Sequence, residues 1–254
     1  MGLFDVFKKK DCDICGKEVG MFGYKKLEDG EICKDCVKLL SPWFDDRRHS
    51  TVEQIKAQLA YREENRAQLG DFHPTRTFGD RARIYVEYQD SVPVRFAVTR
   101  YDDLIEENAD LIRFKDVLSF RTDIQEDREE IMRENANGEE VSYQPPRYNY
   151  QYDFIVEIQV NNPFFSEIRI QLNSDPVEIE GGAGSFNPSR NAVYRELAMM
   201  CQELEEIFQQ GQKGIPQEAP PQPEVAAPAG PKFCPSCGAQ ADGGKFCQFC
   251  GAKF

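Results

Sequence analysis

The sequence has few of the residues on which most enzymes and nucleic-acid-binding proteins depend. Among its 254 residues there are two histidines and one tryptophan, and 31 Lys and Arg stand against 44 Asp and Glu, a formal net charge of −13. His49 and His73 lie in no recognisable catalytic or metal-binding motif, so acid–base catalysis has little support. Because phosphate contacts require clustered Lys and Arg, the acidic balance argues against general nucleic-acid binding.

Long apolar runs are also missing. No run approaches the ~18 residues of a transmembrane helix, and no signal peptide precedes the first cysteine. Hydrophobic residues still make up 40% of the chain, which is enough for at least one core and excludes wholesale disorder. We therefore expect a cytoplasmic protein.

Residues 1–10 form an N-terminal arm in which Leu3, Phe4, Val6 and Phe7 precede three lysines. One interpretation is an interfacial anchor, with apolar side chains among lipid headgroups and lysines against anionic lipid, which would place the protein at the inner face of a membrane. The other interpretation is a short arm that packs on the protein itself. Ten residues bury little area, which favours the second interpretation.

Cysteine is the informative residue type, because eight of the nine cysteines fall into four C-x-x-C pairs. In a chain without an export signal, such pairs indicate metal sites before disulfides, and a redox role would require a βαβ context that neither end shows. Two pairs complete a tetrahedral zinc site and leave no position for water, so we predict two structural zinc ions per chain. Their ligands are Cys12, Cys15, Cys33 and Cys36 at one site, and Cys234, Cys237, Cys247 and Cys250 at the other.

The local sequence around each site predicts a small zinc domain. Over residues 11–44, a knuckle with Gly16, a hairpin turning at Asp29-Gly30 and a second cysteine pair that opens a short helix together indicate a treble-clef-like domain. Over residues 232–254, two knuckles that are each followed by glycine, and are separated by nine residues, indicate a minimal zinc ribbon. A proline-rich linker, residues 211–231, precedes the ribbon.

The middle of the chain predicts an α+β domain. A connecting helix lies within residues 45–75, spanning about 51–69 after a capping box of Ser50 and Glu53. About seven strands follow in residues 76–210, interrupted by a charged stretch over 125–147 with a helical turn near 129–132. An amphipathic helix beginning at Asn187-Pro188 closes the domain, and Cys201 lies in its apolar stripe as a small buried hydrophobe rather than a reactive thiol.

Strands without intervening helices form a largely antiparallel sheet. With a closing helix, they predict either a pleckstrin-homology-like barrel or an unrelated β-sandwich that carries a helix.

Two segments resemble known families. The segment from Cys12-Asp-Ile-Cys-Gly through Cys33-Lys-Asp-Cys36 to Leu40 resembles bacterial proteins that carry domain of unknown function 4428, which implies that a pleckstrin-homology-like β domain follows it. The stretch Leu111-Ile-Arg-Phe-Lys-Asp-Val-Leu-Ser-Phe120 resembles a step common in bacterial domains of that type, whereas the charged stretch 125–147 departs from their glycine-rich insertions. The C-terminal Phe-Cys-Pro-Ser-Cys-Gly and Phe-Cys-Gln-Phe-Cys-Gly motifs resemble the widespread bacterial zinc-ribbon tail.

These features predict a non-enzymatic adaptor or scaffold that binds zinc and contacts other proteins. An enzyme is disfavoured because no nucleophile–base spacing or phosphate loop is present and a closed zinc site cannot activate water. The alternative is a nucleic-acid-binding zinc-ribbon protein. Lys245 and Lys253 provide few charges for that role, although the ribbon has several phenylalanines.

Overall fold

The computed structural model describes residues 10–20, 23–101, 103–182, 186–213, 236–237, 239, 246 and 250–253. The chain divides into two units, residues 1–215 and 216–254. Most of the predicted N-terminal arm, residues 1–9, and the linker after residue 213 lie outside the described residues.

The first unit begins with two short hairpins that carry cysteines. Strand β1 (Lys10–Asp11) pairs with β2 (Glu18–Val19), and β3 (Tyr24–Lys26) pairs with β4 (Glu31–Cys33), both antiparallel. Helix α1 (Lys34–Lys38) follows β4 without a break. We call residues 10–44 the cysteine module.

A longer helix, α2 (Val52–Leu69), leads out of the cysteine module. Its N-terminus is a capping box in which the Thr51 hydroxyl accepts from the Gln54 N–H at 3.2 Å and the Gln54 side chain accepts from the Thr51 N–H at 2.8 Å. The predicted box of Ser50 and Glu53 is therefore one residue too early. The Ser50 hydroxyl instead donates to a carbonyl of the preceding 3₁₀ turn.

Two antiparallel sheets follow α2. The first contains four strands in sequence order, and the second contains two long strands with two shorter strands along the outer edge of one of them. The strands are β5 (Arg76–Phe78), β6 (Arg83–Gln89), β7 (Val92–Thr99), β8 (Leu111–Arg113), β9 (Val117–Glu130), β10 (Met132–Glu134), β11 (Glu140–Ser142), β12 (Arg147–Val160), β13 (Glu167–Gln171) and β14 (Val177–Gly182).

Strand β12 is the centre of the second sheet. One of its edges pairs with β9 along nearly the whole length of both strands, and its other edge pairs with β14 near the start and β13 near the end. Strands β10 and β11 form a separate hairpin between β9 and β12. Because β13 and β14 share one edge of β12, the sheet is only three strands wide at any level.

The charged stretch that was predicted to interrupt the strands is itself mainly strand. Strand β9 continues to Glu130, which pairs with Tyr148, so the predicted helical turn near 129–132 is wrong. Side chains from Gln125 to Glu129 are exposed, and their charges therefore carry no burial cost. The ladder to β12 supplies the backbone hydrogen bonds and overrides the weak strand propensity of Asp and Glu.

Helix α3 (Ala192–Lys213) closes the unit and contacts both sheets. It begins after a 3₁₀ turn that is capped by Asn187, and it runs three residues beyond the predicted end at 210. The Phe208 ring lies 5.0 Å from the ring of Phe96 on β7 and 4.0 Å from the ring of Phe120 on β9. One aromatic side chain thus joins the two sheets in a single core.

The expected α+β class, with antiparallel sheets and a C-terminal helix, is confirmed. Within the described residues no strand pairing joins the two sheets, so they do not close into a barrel. In the same part of the chain, no helix is long and apolar enough to cross a bilayer.

A buried ion pair connects the cysteine module to the rest of the first unit, the two sheets and α3 over residues 76–213, which we call the β body. Arg62 on α2 donates to Asp110 over 2.8 Å, and both side chains are at most 5% exposed. The second Asp110 oxygen accepts from the Ser41 hydroxyl at 2.7 Å, and Arg62 also donates to the carbonyls of Leu39 and Glu107 at 3.3 Å. Burial raises the pKa of the Asp110 carboxyl, and the Arg62 charge and Ser41 hydroxyl oppose that effect.

Asn65, one turn further along α2, extends the same network. Its amide donates to the Ala109 carbonyl at 2.8 Å and accepts from the Leu111 N–H at 2.8 Å. The Asn108 amide donates in return to the Arg62 carbonyl at 2.8 Å. We call this network, formed by Ser41, Arg62, Asn65, Asn108 and Asp110, the polar joint.

We expect Arg62→Met to lower the free energy of unfolding by about 3–5 kcal/mol, because it leaves the Asp110 carboxylate buried without a counter-charge. Arg66→Met removes an exposed arginine one turn away on the same helix and should change it by less than about 0.5 kcal/mol. Urea denaturation of both full-length variants at neutral pH measures the difference. Equal effects of the two substitutions would contradict the role of the polar joint.

Candidate metal centre

Four cysteines of the cysteine module converge on one point. Cys12 and Cys15 flank the turn after β1, Cys33 ends β4, and Cys36 lies in the first turns of α1. Their sulfur atoms all lie within 4.8 Å of one another. The Sγ atoms of Cys12 and Cys36 are 4.0 Å apart, and those of Cys15 and Cys33 are 3.8 Å apart.

The local backbone produces this convergence. Gly16 adopts φ +71°, in the left-handed region that favours glycine, and its N–H donates to the Cys12 carbonyl at 2.8 Å. Cys33 is the N-cap of α1, where its sulfur accepts from the Cys36 N–H at 3.4 Å. The Cys33 N–H donates to the Cys12 sulfur at 3.2 Å. Backbone donors therefore already point at two of the sulfurs, as they would for thiolates.

The sulfur geometry fits zinc. A tetrahedral centre with Zn–S bonds of ~2.3 Å has sulfur–sulfur edges of about 3.8 Å. The separations of 4.0 Å between Cys12 and Cys36 and 3.8 Å between Cys15 and Cys33 are close to this value. Cys12, Cys33 and Cys36 are buried, and Cys15 is exposed at the surface of the site. Zinc held by these four cysteines would be fully coordinated by protein and would act as a structural cross-link.

The ionisation of the four thiols also favours a bound cation. Burial tends to raise the pKa of the Cys12 thiol, but the backbone N–H groups of Cys15, Cys33 and Ile14 outweigh it and lower that pKa to about 7. Burial raises the pKa of the Cys36 thiol well above its usual value, and the thiols of Cys15 and Cys33 add to this effect. The Cys12 thiolate is thus accessible near neutral pH, whereas a thiolate at Cys36 requires the charge of a metal ion.

A small apolar core surrounds the sulfurs. Leu27, Ile32 and Leu40 of the cysteine module are buried against them, together with Ile55 from the second turn of α2. So few side chains bury too little surface to stabilise the module alone, and a metal ion would supply the missing free energy.

A family match covers the segment that contains this centre. The family described as a domain of unknown function (DUF4428) matches residues 10–58, which comprise the four cysteines and the first turns of α2. Neither the curated proteins nor the solved structures compared with the chain include a match.

The second predicted centre lies only partly within the described residues. Cys237 and Cys250 are described and exposed in the second unit, whereas Cys234 and Cys247 lie outside the described residues. Phe246 and Lys253 form an isolated antiparallel bridge in that unit. The C-terminal zinc site therefore stays a prediction.

Cys201, the ninth cysteine, lies where the sequence pattern predicts. It is 4% exposed within the apolar stripe of α3. Burial raises the pKa of its thiol to about 11, and Glu205 contributes in the same direction. A protonated, buried thiol behaves as a small apolar side chain.

Sequence reasoning missed a cleft beside the metal centre. It has a volume of about 630 Å³ and lies between the end of the cysteine module and the end of β7, with Leu40, Trp43, Val98 and Tyr101 in its walls. Arg62 of the polar joint also lines it. One sequence signal pointed to this region. Ile55, Arg62 and Leu69 are spaced seven residues apart along α2, which places the charged Arg62 on the buried face of the helix.

We expect Cys36→Ser to lower the zinc content of the purified full-length chain by about one equivalent and to destabilise the cysteine module, because three thiolates bind structural zinc much more weakly than four. Cys201→Ser is the matched control and should leave the zinc content unchanged. Elemental analysis of both variants measures the effect. Identical zinc content in wild type and Cys36→Ser would contradict the assignment.

Proposed function

We propose that the chain is a non-enzymatic, zinc-stabilised adaptor that contacts other proteins. Zinc at the centre would be coordinated by four protein sulfurs and would have no position for a substrate. The polar joint fixes the cysteine module against the β body, so that surfaces from both are presented in a constant arrangement.

The observation that carries this proposal is the group of apolar and aromatic side chains in and beside the 630 Å³ cleft. Tyr101 in its wall is more than half exposed, as is Leu39 in an adjoining depression that shares Lys38 and Arg62 with the cleft. Trp43, the one tryptophan of the chain, also lines the cleft. Exposed apolar side chains around a cleft that contains an aromatic residue are typical of protein-binding surfaces.

The proposal includes a fold assignment for the β domain and one for the cysteine module. Two antiparallel sheets with a helix packed on both support a relationship of residues 76–210 to pleckstrin-homology-like domains. The knuckle, the hairpin and the helix opened by the second cysteine pair support a treble-clef-like module.

The tail completes the proposed adaptor. Residues 232–254 would form a zinc ribbon that holds a second ion through Cys234, Cys237, Cys247 and Cys250. Phe246 is 56% exposed, which supports a protein contact there. Residues 1–10 offer a contact with a membrane surface in a variant of this proposal.

The cleft is tested by affinity purification of the tagged full-length chain from its native cell. We expect Leu39→Glu to remove at least one co-purifying protein, because it replaces an exposed apolar side chain beside the cleft with a charged one. Val193→Glu is the matched control, since Val193 on α3 is equally exposed, 54% in each case. An identical set of partners for wild type and Leu39→Glu would contradict the proposed role of the cleft.

The tail is tested by deletion of residues 232–254. We expect the melting temperature of the first unit to change little and at least one partner to be lost, because a ribbon on a long linker acts at a distance. Salt-sensitive retention of the full-length chain on nucleic acid, abolished by the deletion, would support nucleic-acid binding instead. Unfolding of the first unit on deletion would contradict the proposal for the tail.

A further inference from the structure

Strand β9 is a long strand with one free edge. It pairs with β12 along one side, and in the part of the chain that the structure describes no strand pairs with its other side. Its register with β12 is regular from Phe120, opposite Ile158, to Glu130, opposite Tyr148. A free edge of this length is a template for an added strand unless something opposes pairing.

The hydrogen bonds of β12 identify the backbone groups of β9 that point to this edge. The Phe154 N–H donates to the Asn173 side chain at 2.9 Å, and the Phe154 carbonyl accepts from the Leu172 N–H at 2.8 Å. Both groups therefore point away from β9. Ile124 lies opposite Phe154, so this is a non-hydrogen-bonded pair, and the N–H and carbonyl of Ile124 point to the free edge.

The same orientation recurs at every second residue of the strand. Thr122 and Glu126 share the orientation of Ile124, and no hydrogen bond to the edge-facing backbone groups of these three residues is formed within the described residues. By contrast, the Arg128 N–H is bonded to the Asp127 carboxylate at 2.8 Å. The available edge thus runs from Phe120 to Glu126.

The charge beside this edge is negative. Asp123 is exposed on the outer face, Glu126 accepts from the Tyr152 hydroxyl at 2.9 Å, and Glu205 of α3 accepts from the Thr122 hydroxyl at 2.5 Å. Among the described residues, none of these three carboxylates is paired with a lysine or arginine. The one arginine of the segment, Arg121, is paired with Glu157.

The side chains beside this edge alternate between the outer and the inner face of the sheet. Asp123 projects from the outer face, whereas Thr122 and Ile124 project from the inner face toward α3, and Ile124 is 38% exposed. An added strand therefore meets the Asp123 carboxylate on the outer face, and on the inner face it meets Ile124 together with the carboxylates of Glu126 and Glu205. A second copy of β9 would bring a second set of these unpaired carboxylates to the same edge, which disfavours pairing by charge repulsion.

We propose that the edge of β9 from Phe120 to Glu126 binds, by strand addition, an extended segment of a partner protein that carries both basic and apolar residues. Backbone hydrogen bonds to the edge provide affinity, and the carboxylates select the basic residues. The acidic residues that prevent self-association of this edge thereby favour a partner of opposite charge. This surface is separate from the cleft and goes beyond the function proposed above.

The probe is a capped peptide of about eight alternating Lys and Val residues, long enough to span the edge. Its affinity for the full-length protein is measured by isothermal titration calorimetry. In an added strand of alternating residues, the N–H groups of only one residue type point toward β9. If the valines lie on the face of Ile124, these are the valine N–H groups in an antiparallel strand and the lysine N–H groups in a parallel one. Two isomeric peptides, N-methylated at every valine or at every lysine, therefore have equal charge but differ in their ability to pair.

We expect the parent peptide to bind and one N-methylated isomer to bind at least about tenfold more weakly, while the other isomer keeps most of the affinity. A peptide with Glu in place of Lys should not bind. Equal binding of the parent and both isomers would show diffuse charge attraction and overturn the proposal, and so would the absence of binding by the parent peptide.

Two protein variants provide an independent check. Ile124→Pro removes an N–H group that faces the free edge, and it leaves the hydrogen bonds between β9 and β12 in place. It should weaken binding of the peptide about tenfold, whereas the control Ile124→Val should not weaken it. Asp123→Lys should also weaken binding, and its exposed position leaves the fold intact. If Ile124→Pro fails to fold, the pair of N-methylated peptides on the wild-type protein still decides the question.

Other outcomes are distinguishable. A wild-type dimer that refuses the peptide and dissociates on Ile124→Pro would show that a second copy covers the edge, and would overturn the proposal. A failure of the peptide experiment leaves the adaptor function untouched, because the co-purification test with Leu39→Glu is read separately.

Discussion

The buried contact between Arg62 and Asp110 is the interaction on which the arrangement of the first unit depends. An ion pair this far from water is costly to form, and it persists only because Ser41 and backbone carbonyls satisfy the remaining polar atoms. Its members come from α2, from the end of the cysteine module and from the loop before β8. The pair and its hydrogen-bond partners therefore connect three segments that are distant in the sequence.

Helix α2 is the element that carries this coupling. Ile55 is buried among the cysteines, Arg62 and Asn65 lie in the polar joint, and Leu69 packs with Ala97 of β7. These residues occupy one face of the helix at spacings of three to seven residues. Helix α2 therefore connects the metal centre to the wall of the cleft.

The elements that depend on local sequence were predictable. The C-x-x-C spacing, the glycine after Cys15 and the helix opened by Cys33 are set by residues close in the chain, and the structure brings all four predicted ligands of the first site together. The apolar period of α3 was equally informative, because Leu204 and Phe208 face the core. The C-terminal ligands are not all described, so the same reasoning there stays a prediction.

The features that depend on long-range contacts were not predictable. Asp110 is separated from Arg62 by 48 residues, and no local pattern connects them. The charged half of β9 has poor strand propensity and was predicted to interrupt the sheet, but pairing with β12 determines its conformation. Within the described part of the chain, no strand pairs with the opposite edge of β9, which is acidic, in keeping with a chain of net charge −13.

The central claim, that the metal centre and the cleft are coupled through α2, is tested most directly by hydrogen–deuterium exchange of the full-length protein before and after zinc removal by a chelator. The account predicts that lost protection extends from residues 10–44 along α2 to residues 103–111, while the centre of β12 stays protected. Loss of protection confined to residues 10–44, with α2 and residues 103–111 unchanged, would contradict it.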